Sequence, residues 1–460
     1  MALSAPVAGD PGYHETRHHL LRKTRLQMID GALTTHLRSA DAGSSVRVYH
    51  DGYWGLAATP GEADAAACAA LRDEAAANAR AMGRFGARQA PPLAGLADGG
   101  YRGQHRHAGR PPLTAAECTE RLQALHAWCR QRYPGLRSSR FLVSEEDHVK
   151  RLVTSAGGDS SASIQRAVVA VALVAEGDDG RPVELVDMLS DKGSLADIAW
   201  SVEALAPFID RLHEHLQAKR QAVPARGGQH TVVLAPDLAG MLAHEAMGHP
   251  CEADIALSGA VTRDLVGQRV ASELISMVDI AHSFEGREVM IPVYVDDEGT
   301  PARDAVLIER GVLGGFMHSR ETAARLGAQP TGSARAYLPV DEPLIRMRNT
   351  AILPGSSTLQ QMIDGVDDGY LLLKTGNGQA DSTTEFMFGI SLAYEIRHGQ
   401  LGRAVRDTTL SGSALKVLAA VDAVGDEMSW SCAGYCGKKQ PMVVSMGGPA
   451  LRTRAHLGGE

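Results

Sequence analysis

Two histidines that flank a carboxylate, in the string His244-Glu245-Ala246-Met247-Gly248-His249, most constrain how this chain can fold. The spacing H-E-x-x-x-H is one residue longer than the H-E-x-x-H pattern with which helical zinc proteases bind their metal. Side chains five residues apart on an α-helix lie about 140° apart around its axis, at roughly 3.6 residues per turn. If both imidazoles bind one ion, the helix must therefore loosen or end between them.

The residues around this motif predict where the helix begins and ends. The chain before the motif carries an apolar run, which indicates a buried helical face: Leu238, Met241 and Leu242. We expect the helix to begin at Pro236 or Asp237. Gly248 tolerates unusual backbone angles, and a residue that precedes proline, here His249 before Pro250, is disfavoured in the α conformation. The sequence predicts that the helix unravels at Gly248 and that His249 is the first extended residue.

The composition is that of a globular protein, with 460 residues, 44% hydrophobic and 22% charged. This length predicts two or three domains. A net charge of −8 and a pI near 6.1 argue against a nucleic-acid-binding protein, which needs clustered lysine and arginine. We see neither an apolar run of about 18 residues nor a secretory signal, and therefore expect no membrane association. The six cysteines show no disulfide spacing, which favours a cytoplasmic protein.

The pattern of apolar residues predicts an α+β fold. We expect an N-terminal α/β domain, in which helices flank a sheet, and a β-rich C-terminal domain that carries the motif helix. A polar segment with Pro224 and Gly227-Gly228 marks the boundary. The predicted divisions are a flexible tail over residues 1–20, an N-terminal domain over residues 21–225 and a metal-carrying domain over residues 226–460.

Several local elements can also be predicted in the N-terminal part. Leu26–Ala40 is predicted to be helical. Ser45–Ala58 alternates between apolar and polar residues around Gly52, which predicts a β-hairpin. The alanine-rich segment Gly61–Gly83 and the segment Leu113–Arg132 are predicted to form two more helices.

A catalytic zinc site needs a third protein ligand besides His244 and His249, because such sites combine three ligands with an open position. A glycine-rich segment near the C-terminus offers two thiols, those of Cys432 and Cys436. The residues alone do not decide which of these two thiols is the third ligand. Glu245, next to the first histidine, is placed to take a proton from the attacking water and is the candidate catalytic base.

A second string, His14-Glu15-Thr16-Arg17-His18, matches the shorter H-E-x-x-H pattern outright. It follows a segment rich in glycine and proline, and it has no apolar face that could anchor a helix in a core. Arg17 would also place a positive charge against the metal. We interpret this string as a chance match.

Several ordered segments carry a family resemblance. They are His244–His249 with Glu252-Ala253-Asp254, Val270–Asp279, Asp296–Pro301, Val306–Gly315, Arg346–Thr350 continuing to Leu353-Pro354-Gly355, and Cys436-Gly437-Lys438. On these segments the chain resembles the TldD/PmbA family, specifically its TldD-like metallopeptidase branch. The resemblance is strong over about residues 220–450 and weaker in the N-terminal domain.

This resemblance implies a zinc-dependent peptidase that acts on short or unfolded peptides. It implies that Cys436, rather than Cys432, is the third ligand, with one Zn²⁺ per metal-bearing subunit. It further implies a dimer with a sheltered cavity, formed by two identical subunits or with a PmbA-like (TldE) subunit that lacks the metal motif. Because this chain keeps both histidines, the glutamate and the cysteine, it resembles the metal-bearing subunit.

The segment Gly376–Phe386 departs from the family pattern, with Glu385 at a position where a small or basic residue is usual. This departure points to a specialised substrate preference. We expect an extended substrate to pair its backbone with a strand edge around Gly376–Asp381. The predicted substrate-binding residues are Gly376, Asn377, Gly378, Gln379 and Asp381.

Two alternatives remain at this point. One is a metal-dependent amidase or peptidase that trims a single natural-product biosynthetic intermediate, with the loop Pro91–Arg110 capping the cleft. The other is a non-catalytic regulatory subunit stabilised by zinc, in which Cys432 fills the fourth coordination position.

Overall fold

The computed structural model describes residues 12–85, 93, 101–107 and 109–459. A large sheet flanked by helices forms the first half of the chain, and the second half is β-rich and contains the motif helix. The predicted α+β class is therefore confirmed. The core around the motif helix includes Leu21 from the first half, and the boundary at residues 225/226 stays a prediction. No helix in the described part of the chain combines the length and the apolar character that crossing a membrane requires.

In the described residues, the first half contains seven strands and three α-helices. The strands are β1 Tyr13–Ile29, β2 Ala32–His50, β3 Tyr53–Pro60, β4 Arg102–His105, β5 Ser138–Thr154, β6 Asp159–Glu176 and β7 Pro182–Lys192. The helices are α1 Ala65–Met82, α2 Ala115–Arg132 and α3 Val202–Arg220, with a 3₁₀ turn at Gly83–Phe85. The strands form one sheet in the order β3-β2-β1-β5-β6-β4, and β7 pairs with β6 as well. All pairings are antiparallel except that of β4 with β6.

Each of the three helices begins after a residue whose side chain caps the first turn. The side chains of Asp64, Thr114 and Ser201 each accept a hydrogen bond from a backbone amide of the first helical turn. Helices α2 and α3 share one apolar core with β5 and β6, whereas α1 packs on β2 and β3. At Gly55 a Cβ would lie 1.9 Å from the carbonyl oxygen of Ala75, so glycine allows α1 to approach the sheet closely.

Two predictions for the N-terminal segment are wrong. Residues Tyr13–Leu20, predicted to belong to a flexible tail over residues 1–20, form the start of β1, while residues 1–11 lie outside the described residues. Leu26–Ala40, predicted to be helical, forms the end of β1 and the start of β2 around a turn at Asp30-Gly31. The physical reason is local turn chemistry: β1 and β2 pair with each other across Asp30-Gly31, where both residues have positive φ. An Asp-Gly dipeptide favours such a hairpin turn, and β5 pairs with the other edge of β1.

The other local predictions for this half agree with the structure. The hairpin predicted at Ser45–Ala58 is formed by β2 and β3, and it turns at Asp51-Gly52. The two predicted helices correspond to α1 and α2. Both predictions depended on local patterns, namely an alternating strand pair around a glycine turn and helical segments with suitable caps.

The second half contains many short elements. Its strands are β8 Gly228–Leu234, β9 Met277–Ile280, β10 Ser283–Phe284, β11 Arg287–Glu288, β12 Ala305–Glu309, β13 Val312–Leu313, β14 Ala334–Arg335, β15 Leu344–Ile345, β16 Asn349–Ile352, β17 Asp368–Ala380, β18 Glu385–Arg397, β19 Gln400–Val405, β20 Thr408–Ser413, β21 Ala423–Val424, β22 Ser429–Ser431, β23 Tyr435–Lys438, β24 Gln440–Val443, β25 Ser445–Gly448 and β26 Leu451–Leu457. Its α-helices are α4 Pro236–Met241, α5 Ala253–Leu257, α6 Arg320–Leu326, α7 Leu359–Asp364 and α8 Ala414–Ala419, and a 3₁₀ helix spans Val261–Leu265.

Two larger sheets surround the motif helix. One runs β17-β8-β26-β20-β18 and closes on itself, because β17 also pairs with β18; β19 and β21 extend it. The other runs β13-β12-β9-β16-β25-β22. Helix α4 packs against β17 of the first sheet and β25 of the second, and Leu238 and Leu242 are completely buried there. The apolar run before the motif therefore faces the core, as predicted.

Buried ion pairs join the two halves. Arg47 of β2 donates to Glu15 of β1 and to Glu298 of the second half, with both N–O distances at 2.8 Å. Lys150 of β5 lies 2.6 Å from Asp297. Truncating one member of such a pair leaves the other charge buried and unpaired, which is strongly destabilising. The large sheet is thus held firmly against the half that carries the motif.

Candidate metal centre

The motif helix widens where the sequence requires it. Helix α4 continues as a π-helix over Leu242–Gly248 and then as a 3₁₀ turn over His249–Cys251. The backbone amide of His249 donates to the carbonyl oxygen of His244, an i→i+5 bond. This bond stacks residues five apart on one face of the helix. The predicted loosening between the histidines is correct, but the prediction that His249 is extended is wrong, because its φ of −60° and ψ of −50° are helical.

Gly248 has a different role from the predicted one. Its φ of −60° and ψ of −54° are those of a right-handed helix and require no glycine. A Cβ at this position would lie 2.2 Å from the sulfur of Met347, however. Glycine is therefore needed at this position for close packing rather than for backbone freedom.

Three potential metal ligands lie together. Cys436 lies on β23, which forms a hairpin with β24, and its sulfur is 3.3 Å from Nε2 of His249. One donor atom each of His244, His249 and Cys436 lies within 4.8 Å of the other two. The two imidazole rings are nearly perpendicular, at 80°, with centroids 5.4 Å apart. Among the described residues, this is the one group of three or more potential ligands that are this close.

The donor set fits a zinc ion. Two imidazole nitrogens and one thiolate are typical zinc ligands, and tetrahedral geometry would separate a bound sulfur and nitrogen by about 3.6 Å. Nδ1 of His244 is buried and has no hydrogen-bond partner, which is costly unless something else binds the ring. Three ligands from the protein would leave one coordination position open, as in catalytic sites.

The electrostatics of the site favour the ligand form of the thiol. Burial raises the pKa of Cys436, but the charges of His244 and His249 and hydrogen bonds with them outweigh burial and hold that pKa well below its usual value. For His249, burial lowers the pKa, but hydrogen bonds and charge from Cys436 and Glu252 hold it well above its usual value. The thiolate, rather than the thiol, is the form that binds metals.

Glu252 is a neighbour of the candidate site that sequence reasoning did not single out. Its carboxylate is fully buried, lies 3.4 Å from Nδ1 of His249 and accepts from Lys438 at 2.8 Å. Burial raises the pKa of Glu252, but its contacts with His249 and Lys438 lower that pKa overall. Because Nε2 of His249 points to Cys436, Glu252 holds the ring from its other side, as outer carboxylates do at many zinc sites. A glutamate three residues after a candidate ligand is the signal that could have identified it.

We expect Glu252→Gln to lower zinc affinity by about 10–100-fold, because the amide orients the imidazole less strongly than the carboxylate. Competition of the purified protein with a chromophoric chelator measures this change. The matched control is Glu342→Gln, which removes a carboxylate from the neighbouring Lys439, 3.6 Å away. Equal zinc affinities of Glu252→Gln and the wild type would refute the role of Glu252.

Glu245 lies between the ligands and an open cleft. One of its carboxylate oxygens is 3.8 Å from Nε2 of His249. The cleft has a volume of about 520 Å³ and is lined by Glu245, His249, Pro250, Ile255, Gly378, Gln379, Ala380, Asp381, Ser382, Tyr435, Gly437 and Lys438. The structure thus brings the candidate base, two candidate ligand segments and one end of β17 to the same space.

The predicted substrate-binding residues divide into two groups. Gly378, Gln379 and Asp381 line the cleft, whereas Gly376 and Asn377 lie earlier on β17 and are not among its lining residues. The carboxylate of Asp381 accepts hydrogen bonds from the backbone amides of Thr383 and Glu385. A hydrogen bond from the hydroxyl of Thr383, together with these two bonds, lowers the pKa of Asp381, and all three stabilise the turn between β17 and β18.

Strand β17 offers a free edge beside the cleft. It pairs with β8 only over Gly369–Leu372, while its pairing with β18 continues to Ala380. Beyond Leu372, the edge opposite β18 has no strand partner in the part of the chain that the structure describes. Such an edge presents unpaired amides and carbonyls to an extended peptide.

Cys432 and the N-terminal H-E-x-x-H string lie apart from this centre. Cys432 is not part of the group of close donors; its backbone amide donates to Ser190, and burial raises the pKa of its thiol to about 11. The alternative with Cys432 as a fourth ligand therefore lacks its expected donor. The string His14–His18 lies within β1, where Glu15 pairs with Arg47 rather than serving as a base.

Comparison with known proteins provides independent information on the family. Residues 227–457 match the family model described as the PmbA/TldA metallopeptidase C-terminal domain, and residues 15–82 match PmbA/TldA metallopeptidase domain 1. A metalloprotease of Methanocaldococcus jannaschii is 39% identical over 251 residues, which cover 53% of this chain and 54% of that protein. A zinc metalloprotease TldD homolog of Saccharolobus solfataricus is 32% identical over 313 residues, covering 68% of this chain and 66% of that protein. The chain thus spans less than two thirds of the length of either relative.

Solved structures share the fold at low sequence identity. TldE from Thermococcus kodakarensis has a TM-score of 0.77 at 18% identity and covers 97% of both chains. A protein of Thermotoga maritima described as a putative modulator of a DNA gyrase has a TM-score of 0.75 at 16% identity, covering 97% of this chain and 96% of that one. These similarities extend over both halves of the molecule.

Proposed function

Because the chain belongs to the PmbA/TldD metallopeptidase family, we propose that it is a zinc-dependent peptidase that hydrolyses peptide bonds in short or unfolded peptides. The observation that carries this proposal is the group of His244, His249 and Cys436, with Glu245 beside it at an open cleft. The names of the relatives, metalloprotease and zinc metalloprotease, support the same chemistry.

In this proposal His244, His249 and Cys436 hold one Zn²⁺ per subunit. When bound, zinc acts as a Lewis acid that polarises the scissile carbonyl and activates water for attack. The three residues come from a helix inside the core and from a hairpin distant in sequence. Glu252 and Lys438 fix the orientation of His249 from the side away from Cys436.

Glu245 acts as the catalytic base. Its carboxylate takes a proton from the attacking water and later donates it to the leaving amine. Two observations support this role: the side chain lines the cleft, and it lies 3.8 Å from Nε2 of a candidate ligand, His249. A glutamate at this place can exchange protons with solvent without leaving the site.

The substrate lies along the free edge of β17 in this proposal. Backbone pairing with a strand edge recognises an extended peptide with little dependence on its sequence. The cleft volume of about 520 Å³ lies within the range of small-ligand pockets, which suits a few residues of extended chain and excludes folded proteins. Gly378, Gln379 and Ala380 are the residues of this edge that line the cleft.

We also propose that this chain is the metal-bearing subunit of a cytoplasmic dimer. The partner is a second copy or a PmbA/TldE-like subunit. The support is the retained ligand set together with the fold similarity to a protein named TldE. The amidase alternative depended on the loop Pro91–Arg110 as a lid, and most of its first half lies outside the described residues. No contact of the described residues favours that alternative.

A hydrolysis assay tests the proposed function. Zinc-loaded protein is incubated with a mixture of short peptides and, separately, with a folded protein, and mass spectrometry identifies the products. We expect peptide cleavage that stops after chelation and returns with zinc, and no cleavage of the folded protein. Absence of peptide cleavage in the zinc-loaded protein, or cleavage that survives complete zinc removal, would contradict the proposal.

A further inference from the structure

The segment that carries Cys436 is held by the N-terminal sheet. We call residues Cys432–Cys436 the thiol segment. Arg166 of β6 donates from Nη1 to the carbonyl oxygen of Gly434 at 2.6 Å and also to that of Cys432. Its guanidinium carbon lies 4.2 Å from the ring centroid of Tyr435. One buried arginine therefore contacts three of the five residues of the thiol segment.

Arg166 is itself fixed in position. Its Nε and Nη2 both donate to one oxygen of Glu146, at 3.2 and 3.0 Å. The other oxygen of Glu146 accepts from the hydroxyl of Tyr337 at 2.6 Å. A guanidinium is planar and presents its donors in fixed directions, so these bonds determine where Nη1 points. The orientation of Arg166 is thus set by the N-terminal sheet and transmitted to the thiol segment.

The position of the Cys436 sulfur depends on such anchors. His244 and His249 lie on a helix inside the core, but Cys436 comes from a hairpin of short strands. Besides the pairing of β23 with β24, two further side chains anchor the backbone of the thiol segment: Ser190 of β7, which accepts from the amide of Cys432 at 2.9 Å, and Arg346, which donates to the carbonyl oxygen of Cys436 at 2.8 Å. Two of the three side-chain anchors therefore belong to the N-terminal sheet.

We propose that Arg166 is a positioning residue of the metal centre, through which the N-terminal sheet holds the Cys436 thiolate within bonding distance of the ion. This inference rests on the proposed function, since it takes Cys436 to be a zinc ligand. The hydrogen bonds of Arg166 go to Glu146 and to the backbone of the thiol segment, so it acts on Cys436 through that backbone. The N-terminal half is thus part of the metal centre although it supplies no ligand.

The test compares Arg166→Met and Arg166→Lys with the wild type. We expect Arg166→Met to lower zinc affinity by about 10–100-fold, the range seen when outer contacts of metal ligands are lost. Arg166→Lys keeps the positive charge opposite Glu146 but loses the several fixed N–H donors of the guanidinium. We therefore expect its zinc affinity to lie between those of the wild type and Arg166→Met. Chelator competition measures affinity. In cobalt-substituted protein, weaker thiolate-to-metal charge-transfer absorption reports displacement of Cys436 from the ion.

Arg47→Met is the matched control for destabilisation. Arg47 is also buried in the N-terminal sheet and also contacts the second half, but it pairs with Glu15 and Glu298 rather than with the thiol segment. We expect it to lower the melting temperature while zinc affinity and the cobalt spectrum stay at the wild-type values. Equal loss of zinc affinity in Arg47→Met and Arg166→Met would overturn the inference.

The outcomes separate this inference from the proposed function. A folded Arg166→Met protein with wild-type zinc affinity and cobalt spectrum overturns the positioning role alone. If Arg166→Met does not fold, the positioning role is also overturned when Arg166→Lys has the zinc affinity and the cobalt spectrum of the wild type. A wild-type protein that binds no zinc would instead contradict the proposed function.

Discussion

Replacing Cys436 with alanine is expected to abolish tight zinc binding and, with it, peptide hydrolysis. The loss of outer contacts at a zinc site costs about 10–100-fold in affinity, so the loss of a ligand should cost at least about 100-fold. Alanine also leaves His249 without the partner whose sulfur lies 3.3 Å from its Nε2. Zinc content per protein after dialysis, measured by plasma mass spectrometry, and the rate of peptide cleavage test this expectation.

The chain provides its own control four residues away. Cys432 is as buried as Cys436, but its thiol is not part of the group of close donors. Cys432→Ala should therefore keep zinc and most of the activity, and it loses only some packing. The reverse pattern, with zinc lost in Cys432→Ala and kept in Cys436→Ala, would move the third ligand to Cys432.

Replacing Glu245 with glutamine is expected to keep zinc but lower kcat by about 10²–10⁴-fold, the usual contribution of a general base. Glutamine has nearly the same shape as glutamate but cannot accept the proton of the attacking water. The side chain lines the cleft and is not one of the three close donors, so metal binding should change little. Steady-state kinetics on a cleaved peptide, together with zinc content, measure both effects.

Asp237→Asn is the control for this variant. Asp237 is an acidic residue on the same helix, paired with Lys374 at 2.6 Å, and it does not line the cleft. We expect its kcat to stay within a few-fold of the wild type. Full activity in Glu245→Gln would overturn the assignment of the base, and loss of zinc in that variant would show that Glu245 serves as a ligand.

Much of the site could be predicted because its signals are local or ordered along the chain. The spacing of His244 and His249 required a helix that loosens between them, and the structure provides this as a π-helix. The choice of Cys436 over Cys432 came from the family resemblance and not from the residues alone. Glu252 is three residues from His249 and could also have been identified from its position.

The errors and omissions concern both overlooked local signals and contacts between distant segments. Leu26–Ala40 forms a local hairpin around Asp30-Gly31, a turn signal that the helical prediction overlooked. The backbone geometry of His249 depended on an intrahelical bond to His244 that the following proline does not prevent. Arg166 gave no signal in the sequence, because its partner Gly434 is 268 residues away.

The sequence by itself determined the candidate chemistry of this protein: two histidine ligands, the candidate base and the need for a widened helix follow from residue types and their spacing, while Cys436 as third ligand followed from the family resemblance. Only the tertiary structure decided how the thiolate reaches the two imidazoles and which charges hold it there. The physical reason is the range of the interactions. Helical spacing acts over a few residues, whereas the bonds of Arg166 to the thiol segment form only when the large sheet packs against the second half.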